Sequence, residues 1–392
     1  MSPAAGNATA ASAANVEART PECWRDIVAS VAFVVAIAAI GIAAFVPRHG
    51  TALANENRAT APWPAHASLD FTRSFERAFA DRFGARGELL KLHNHLLVRV
   101  FGVSPAQNVL LGRDGWLYFK GEEGTSLDRY FRGTPPTSDA DVARIVAELS
   151  RRHAWLAAHG IAYVVTIAPD KATIYPEHLP RWATRITPRS PLDRLTDALR
   201  IAGVPCVDLR EPLRRAKARE RVYYMTDSHW NYLGARVAYG AIMAAIAETL
   251  APAPVAIAPV PLPAYVAGQD VYSGDLARMT GDSAHFREAD VAPLGKVLAS
   301  PASRCAKRAE SGDEPDVERY ACDRPGRLPV LLAYRDSMAI PLIPMLSENF
   351  SRSVYVSSHR LDPAQVLRER PTVVIDEMVE RSMLAPVATP MP

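Results

Sequence analysis

The pattern of hydrophobic and polar positions divides the start of this chain into three segments. Residues 27–46 form a 20-residue run without a charge, and a helix of that length spans about 30 Å, the thickness of a bilayer core. Residues before this run are small and polar, which is typical of disorder, and those after it are polar with Ala and Pro. The pattern predicts a disordered tail over 1–24, a transmembrane anchor over 25–47 and a stalk over 48–67.

Cleavage of this N-terminal segment is the alternative to a permanent anchor. Ala52-Leu53-Ala54 has the small residues of a signal-peptide cleavage site. The apolar region of a signal peptide is usually only about 7–15 residues long, so the length of the run favours an uncleaved anchor.

Apolar strands alternate with helical segments in the domain that follows, from residue 68 to 385. Continuous apolar runs predict five strands, over residues 161–167, 204–209, 328–333, 353–357 and 372–375. Because helical segments separate these strands, we expect a parallel sheet that is covered on both faces. The sequence therefore predicts a three-layer α/β domain, interrupted by a Pro-rich insertion at about 251–327 that lacks strong helix or strand signals.

Two short motifs in this domain bear the residue types of nucleophilic catalysis. Asp227 and His229 lie two positions apart before a long helical run, so the acid can hold one ring nitrogen and leave the other free as a base. Ser337 follows a predicted strand at a strand-to-helix turn, where a hydroxyl is exposed. The alternatives are a surface Asp–His pair and a helix N-cap formed by Asp336 or Ser337. Together the motifs favour a Ser-His-Asp triad.

Five segments carry a family resemblance: Asn108-Val-Leu-Leu-Gly-Arg-Asp-Gly-Trp-Leu-Tyr-Phe119, Ala168-Pro-Asp-Lys-Ala-Thr-Ile-Tyr-Pro-Glu177, Thr226-Asp-Ser-His-Trp-Asn231, Tyr334-Arg-Asp-Ser-Met338 and Glu377-Met-Val-Glu-Arg381. In this order they resemble the alginate O-acetyltransferase family of AlgJ and AlgX type, whose members are periplasmic SGNH-hydrolase-like proteins. The resemblance implies Ser337 as nucleophile, His229 as base and Asp227 as its orienting acid. The motif order is permuted, since serine comes last, and Arg335 replaces the glycine of a Gly-Asp-Ser turn.

The resemblance also implies a function and a location. We expect an O-acetyltransferase that adds acetyl groups to hydroxyls of an exported, alginate-like exopolysaccharide through an acetyl-serine intermediate. The alternatives are a periplasmic carbohydrate O-acetylesterase and a non-catalytic polysaccharide-binding component of a secretion complex. The expected location is the bacterial inner membrane, with a single span and the catalytic domain in the periplasm, and a membrane-bound O-acyltransferase is the expected source of acetyl groups.

Four further residues are candidates for substrate binding. Lys171 and Tyr175 follow a central strand at its carboxyl end, where open α/β sheets bind ligands, although a solvated lysine and a packing tyrosine fit as well. Trp230 can stack on a sugar or anchor its loop in the core. Arg335 can attract uronate carboxylates or pair with Asp336.

Composition and cysteine spacing narrow the remaining possibilities. With 45 Lys and Arg against 42 Asp and Glu, the net charge of +3 is too small to suggest a nucleic-acid surface. Cys305 and Cys322 lie 17 positions apart in the insertion, and in an exported domain they predict a disulfide worth about 3 kcal/mol. Paired Cys-x-x-Cys motifs, His clusters and phosphate-binding Gly-rich loops are missing from the sequence, so neither a metal nor a cofactor is expected.

Overall fold

The structure is a computed structural model of the 392-residue chain. It describes residues 21–43, 60–66, 69–84, 86–121, 126–251, 257, 259–262, 264–293, 305–308, 316–322 and 328–385. Most of the predicted disordered tail and most of the predicted stalk lie outside these residues. The described chain falls into two compact units, Met1–His93 and Asn94–Pro392.

Eleven α-helices and eleven β-strands occur within the described residues. The helices are α1 Pro21–Ala43, α2 Phe71–Arg82, α3 Arg86–Arg99, α4 Asp139–Ala158, α5 Lys171–Ile174, α6 Pro191–Ile201, α7 Arg210–Lys217, α8 Tyr232–Leu250, α9 Asp275–Met279, α10 Ile343–Ser347 and α11 Pro363–Glu369. The strands are β1 Val109–Leu111, β2 Leu117–Phe119, β3 Ala162–Ala168, β4 Cys206–Asp208, β5 Tyr265–Tyr272, β6 Glu288–Pro293, β7 Cys305–Arg308, β8 Val317–Cys322, β9 Val330–Tyr334, β10 Arg352–Val356 and β11 Val373–Val379.

A seven-stranded, mostly parallel sheet organises the second unit. Its strand order is β4-β3-β11-β9-β10-β8-β7, and the first five of these are parallel to one another. These five are the strands predicted from the apolar runs. The last two, β8 and β7, are antiparallel additions at one edge. Neither was predicted from the sequence, because both are short and most of their residues are not fully buried, so they lack the continuous apolar run of a central strand.

Helices cover both faces of this sheet, as the alternation of apolar segments predicts. Along β3, Val164 and Ala168 belong to the core on the α8 side, whereas Tyr163, Val165 and Ile167 belong to the core against α4 and α6. Helix α8 is long and apolar enough to cross a membrane. However, its buried side chains pack into the first of these cores, so it serves as the core helix of the α/β unit.

The predicted insertion at 251–327 contains regular structure that the sequence did not reveal. Strands β5 and β6 form an antiparallel ribbon with a register irregularity between Ala267 and Val271, and α9 lies between them. Farther along, Cys305 and Cys322 are joined by a disulfide and face each other across the β7–β8 pair. The insertion therefore supplies both a two-stranded ribbon and the antiparallel edge of the main sheet.

The first unit contains α1 and α2, which carry many exposed apolar side chains. In α1, Trp24, Val28 and Phe33 are each more than half exposed. In α2, Phe71 and Phe75 stack with ring centroids 6.1 Å apart, yet both remain exposed. Within the described residues, these large apolar side chains of α1 and α2 are thus not buried as those of the core helices of the second unit are.

Candidate active site

Ser337 sits in a turn that Asp336 holds in place. The Asp336 carboxylate accepts hydrogen bonds from the Met338 N–H (2.8 Å) and, in β11, from the Val379 N–H (2.7 Å). Asp336 is therefore the N-cap, and the hydroxyl of Ser337 is left for another partner. The helical side of this turn is a 3₁₀ segment, Ser337–Leu342, followed by α10, because Pro341 interrupts the regular hydrogen bonds there.

The loop before α8 brings Asp227 and His229 to the same place. Asp227 Oδ1 lies 2.6 Å from His229 Nδ1 and also accepts the His229 backbone N–H at 3.0 Å. His229 Nε2 lies 2.9 Å from Ser337 Oγ. Asn231 caps α8 by accepting the Gly234 N–H, which fixes the end of the loop. A continuous chain of hydrogen bonds thus links carboxylate, imidazole and hydroxyl across 108 positions of sequence.

Asp227 is buried but ionised. Burial acts to raise the pKa of its carboxyl, but hydrogen bonds from His229, from the Tyr272 hydroxyl and from the Asp275 N–H hold that pKa well below its usual range. As an acceptor only, the carboxylate requires Nδ1 of His229 to carry its proton. Nε2 is then free to accept the proton of the Ser337 hydroxyl, which is the task of a general base.

Lys171 and Tyr175, which the sequence analysis placed among the substrate contacts, are buried. Lys171 Nζ donates to three backbone carbonyls, those of Tyr224 (3.0 Å), Met225 (2.9 Å) and Asp227 (2.6 Å), and burial lowers its pKa to about 7. The Tyr175 hydroxyl accepts the Val222 N–H at 2.9 Å. Both side chains therefore support the loop that carries His229, and their contact with substrate stays a prediction.

Trp230 and Arg335 also lie away from the surface. Trp230 is only 1% exposed and packs against Tyr223, so its ring has no free face for a sugar and the alternative of a core anchor describes it. Arg335 donates to Glu318 of β8 at 2.9 Å. Its carboxylate partner in the described structure is therefore Glu318 rather than Asp336, and attraction of a substrate uronate stays a prediction.

Two residues of this site, Tyr272 and Asp275, were not predicted from the sequence. Tyr272 Oη lies 2.5 Å from Asp227 Oδ2, and Asp275 Oδ2 lies 3.6 Å from His229 Nδ1. Both belong to the insertion, where the alternation of β5 is obscured by Gly268 and two polar residues. Asp227, His229 and Asp275 also have the spacing of metal ligands, but both carboxylates already accept several N–H and O–H donors, which describes a hydrogen-bond network.

Comparisons with known proteins agree with this fold. Residues 109–308, about half of the chain, match the family model described as an SGNH hydrolase-like domain, acetyltransferase AlgX. The probable alginate O-acetylase AlgJ of Pseudomonas aeruginosa is 32% identical over 146 residues, which are 36% of this chain and 34% of that protein. The protein of the same description in Pseudomonas syringae pv. tomato is 29% identical over 178 residues, 45% of this chain and 43% of its own length.

These alignments span about a third to two fifths of the relatives' length. Among solved structures, PatB1 of Bacillus cereus with a sulfonyl adduct has a TM-score of 0.51 and 12% sequence identity, over 71% of this chain and 96% of that chain. At this identity the likeness shows the fold alone. Since the family model covers half of the chain, including Asp227 and His229, the chain belongs to the AlgX and AlgJ family of SGNH hydrolase-like acetyltransferases.

Proposed function

We propose that this protein is an O-acetyltransferase that moves an acetyl group onto a hydroxyl of an exported polysaccharide. The observation that carries the proposal is the hydrogen-bond chain from Asp227 through His229 to Ser337, with distances of 2.6 and 2.9 Å. The family match ends at residue 308, so the role of Ser337 rests on this geometry. A hydroxyl at neutral pH is a poor nucleophile without such a base.

The reaction proceeds in two half-reactions at Ser337. The Ser337 oxygen attacks the carbonyl carbon of an acetyl donor while His229 Nε2 takes its proton, and His229 then gives that proton to the departing group of the donor. In the second half, His229 takes the proton of a sugar hydroxyl whose oxygen attacks the acetyl-serine. The bond between the acetyl carbon and Ser337 breaks, and the serine recovers its proton from His229.

The acceptor and donor are inferred from the relatives. Proteins described as probable alginate O-acetylases are about 30% identical to parts of this chain, which supports a polysaccharide with free hydroxyls as acceptor. We infer that α1 anchors the protein in the bacterial inner membrane, since its apolar side chains are exposed and the uncharged run is long enough to span the bilayer. The catalytic unit would then face the periplasm, and a membrane-bound O-acyltransferase would supply the acetyl groups.

The test supplies full-length protein in detergent with an acetyl ester and sugar oligomers, and measures acetyl gain on the sugar by mass spectrometry. The proposal predicts acetylated sugar with wild type and none with Ser337→Ala. Ser358→Ala is the matched control, since Ser358 follows the neighbouring β10 and its hydroxyl accepts the Arg360 N–H at 3.0 Å. Release of free acetate without sugar acetylation would instead identify an esterase, and acetylation by Ser337→Ala would reject the proposal.

A further inference from the structure

The segment that connects β5 to α9 lies directly against Asp227. Tyr272 Oη donates to Asp227 Oδ2 at 2.5 Å, and the Asp275 N–H donates to the same oxygen at 2.9 Å. The Gly274 N–H donates to Thr226 Oγ1 at 3.0 Å. Asp227 Oδ2 thus has two donors from the insertion, while Oδ1 is left to His229.

The side chain of Asp275 holds the next residue of the same loop. Its carboxylate accepts the Ser228 N–H at 2.7 Å and the Ser228 hydroxyl at 2.5 Å. From the other arm of the ribbon, Glu288 accepts the N–H groups of Met225 (2.9 Å) and Thr226 (2.8 Å). Strands β5 and β6 and the segment between them therefore contact every residue from Met225 to Ser228, although they belong to an insertion in the α/β fold.

Two donors on one carboxylate oxygen restrict the rotation of that carboxylate. The terminal torsion of an aspartate is soft and takes a broad range of angles, so its orientation depends on its hydrogen bonds. Burial, followed by the hydrogen bond to Asp227, raises the pKa of Tyr272 above its ordinary value, which keeps its hydroxyl protonated as a donor. Asp227 Oδ2 accepts the Tyr272 hydroxyl and the backbone N–H of Asp275. A side-chain substitution can remove the first of these hydrogen bonds but not the second.

We propose that Tyr272 is a positioning residue of the acetyl-transfer site. Its hydroxyl holds Asp227 Oδ2, and this keeps Oδ1 on His229 Nδ1 so that Nε2 remains aligned with Ser337. This inference rests on the proposed function, because it assigns Tyr272 a part in activating the serine of that reaction. Tyr272 itself acts through Asp227 and contacts neither Ser337 nor His229 by any hydrogen bond in the described structure.

The test compares Tyr272→Phe with Tyr224→Phe in the full-length protein. Tyr224 is a close match, because its ring stacks on Tyr272 at 4.2 Å and its hydroxyl donates to a different carboxylate, Asp290, at 2.6 Å. The readouts are kcat and KM for a small acetyl ester and the rate at which a sulfonyl fluoride labels Ser337. Labelling reports the activation of the serine without any need for an acceptor.

Tyr272→Phe is expected to lower kcat and the labelling rate about 10- to 100-fold, the effect of a lost hydrogen bond to a charged group, with KM unchanged. Tyr224→Phe is expected to change kcat less than about threefold, since its partner does not touch His229. Wild-type rates for Tyr272→Phe, or equal losses in both variants, would overturn the positioning role. A wild type that the sulfonyl fluoride does not label at Ser337 would overturn the proposed function itself, and this inference with it.

Discussion

The two oxygens of the Asp227 carboxylate have separate partners, and both sets are hydrogen-bond donors. Oδ1 faces the backbone and ring N–H groups of His229, and Oδ2 faces Tyr272 and the Asp275 N–H. An asparagine has the same shape, but an NH₂ group replaces one of the two carboxylate oxygens. Whichever way the amide is turned, this NH₂ group would face other hydrogen-bond donors. The hydrogen bonds around Asp227 therefore require a carboxylate, with two acceptor oxygens, and not only a side chain of the same shape.

Asp227→Asn is expected to lower the turnover of a small acetyl ester by about 10⁴-fold, as in triads of known mechanism, because the imidazole loses its required tautomer. Asp290→Asn is the control, since Asp290 accepts the neighbouring Tyr224 hydroxyl at 2.6 Å and does not contact His229. Steady-state kinetics and thermal melts are measured together. A fall of less than tenfold in a folded Asp227→Asn variant would remove Asp227 from the mechanism.

His359 lies between two carboxylates, which the local sequence did not indicate. Its Nε2 lies 3.6 Å from Asp336 and its Nδ1 lies 3.9 Å from Asp376. Burial acts to lower the pKa of His359, but its contacts with these two carboxylates outweigh burial and raise it to about 10. The protonated ring of His359 therefore stabilises the folded state through its contact with Asp336, the residue that caps the Ser337 turn.

The stability that His359 contributes should depend on pH in a defined direction. Because its pKa is about 10 in the folded state and about 6.5 when unfolded, the contribution is complete below about pH 6.5 and is lost as the pH rises to 10. Urea unfolding at pH 6 should find His359→Gln less stable than wild type by about 2 kcal/mol, discounted for partial exposure. This difference should shrink at pH 9 and 10.

The control for this prediction is His159→Gln, because the exposed His159 contacts the carbonyl and the ring of Trp155 and, within the described residues, has no carboxylate partner. Its effect on stability should stay small at every pH. A His359→Gln difference that grows between pH 6 and pH 10 would show that the ring is neutral in the folded protein.

At the scale of elements, the β5–α9–β6 ribbon depends on a close approach of two backbones. A Cβ atom built on Gly274 would lie 2.5 Å from the N, Cα and Cβ atoms of Asp227. The backbone of Gly274 is extended, with φ −76°, so any residue could adopt it and only this contact requires glycine. The position of the ribbon on the Asp227 loop therefore depends on the missing side chain.

Gly274→Ala should push the ribbon off the loop and lower stability by about 1–3 kcal/mol, the usual effect of overpacking, with a parallel loss of activity. Gly240→Ala in α8 is the control, and it is expected to change stability in the opposite direction. A Cβ there would meet nothing within 4 Å, and alanine in a helix is favoured over glycine by roughly 0.5–1 kcal/mol. Chemical denaturation of both variants tests this, and an unchanged Gly274→Ala protein would contradict the close contact.

The sequence predicted the elements whose residues are buried on both sides and missed those that are not. The five parallel strands were predicted because a central strand reads as a continuous apolar run. Strands β7 and β8 are short, and the pairing of β5 with β6 is irregular. No regular alternation of apolar and polar residues therefore distinguishes these strands from loops. The Asp227–His229 pair and the Ser337 turn were predicted because each motif consists of a few consecutive residues. Tyr272 was missed because only the fold brings it to Asp227.

For the molecule as a whole, the proposed membrane anchor is the uncharged run of residues 27–46. Val34→Arg would place a charge in the middle of the uncharged run, at a cost to membrane insertion of about 2.5–3.5 kcal/mol. We expect wild type to remain with membranes after a high-salt wash and Val34→Arg to be largely lost from them, whereas Thr60→Arg, outside the run, should behave as wild type. N-terminal sequencing completes the test, since a mature chain beginning at Asn55 would show cleavage after Ala54.

The proposed reaction passes through an acetyl group on Ser337, and detecting that group tests the proposal directly. Full-length protein is mixed with 4-nitrophenyl acetate, quenched in acid within the first turnovers, digested and mapped by mass spectrometry. We expect one acetyl group on the peptide containing Ser337 in wild type, and no acetyl group on that peptide in Ser337→Ala or His229→Ala. Turnover at the wild-type rate with the acetyl group on another residue, or with Ser337 never modified, would contradict the proposal.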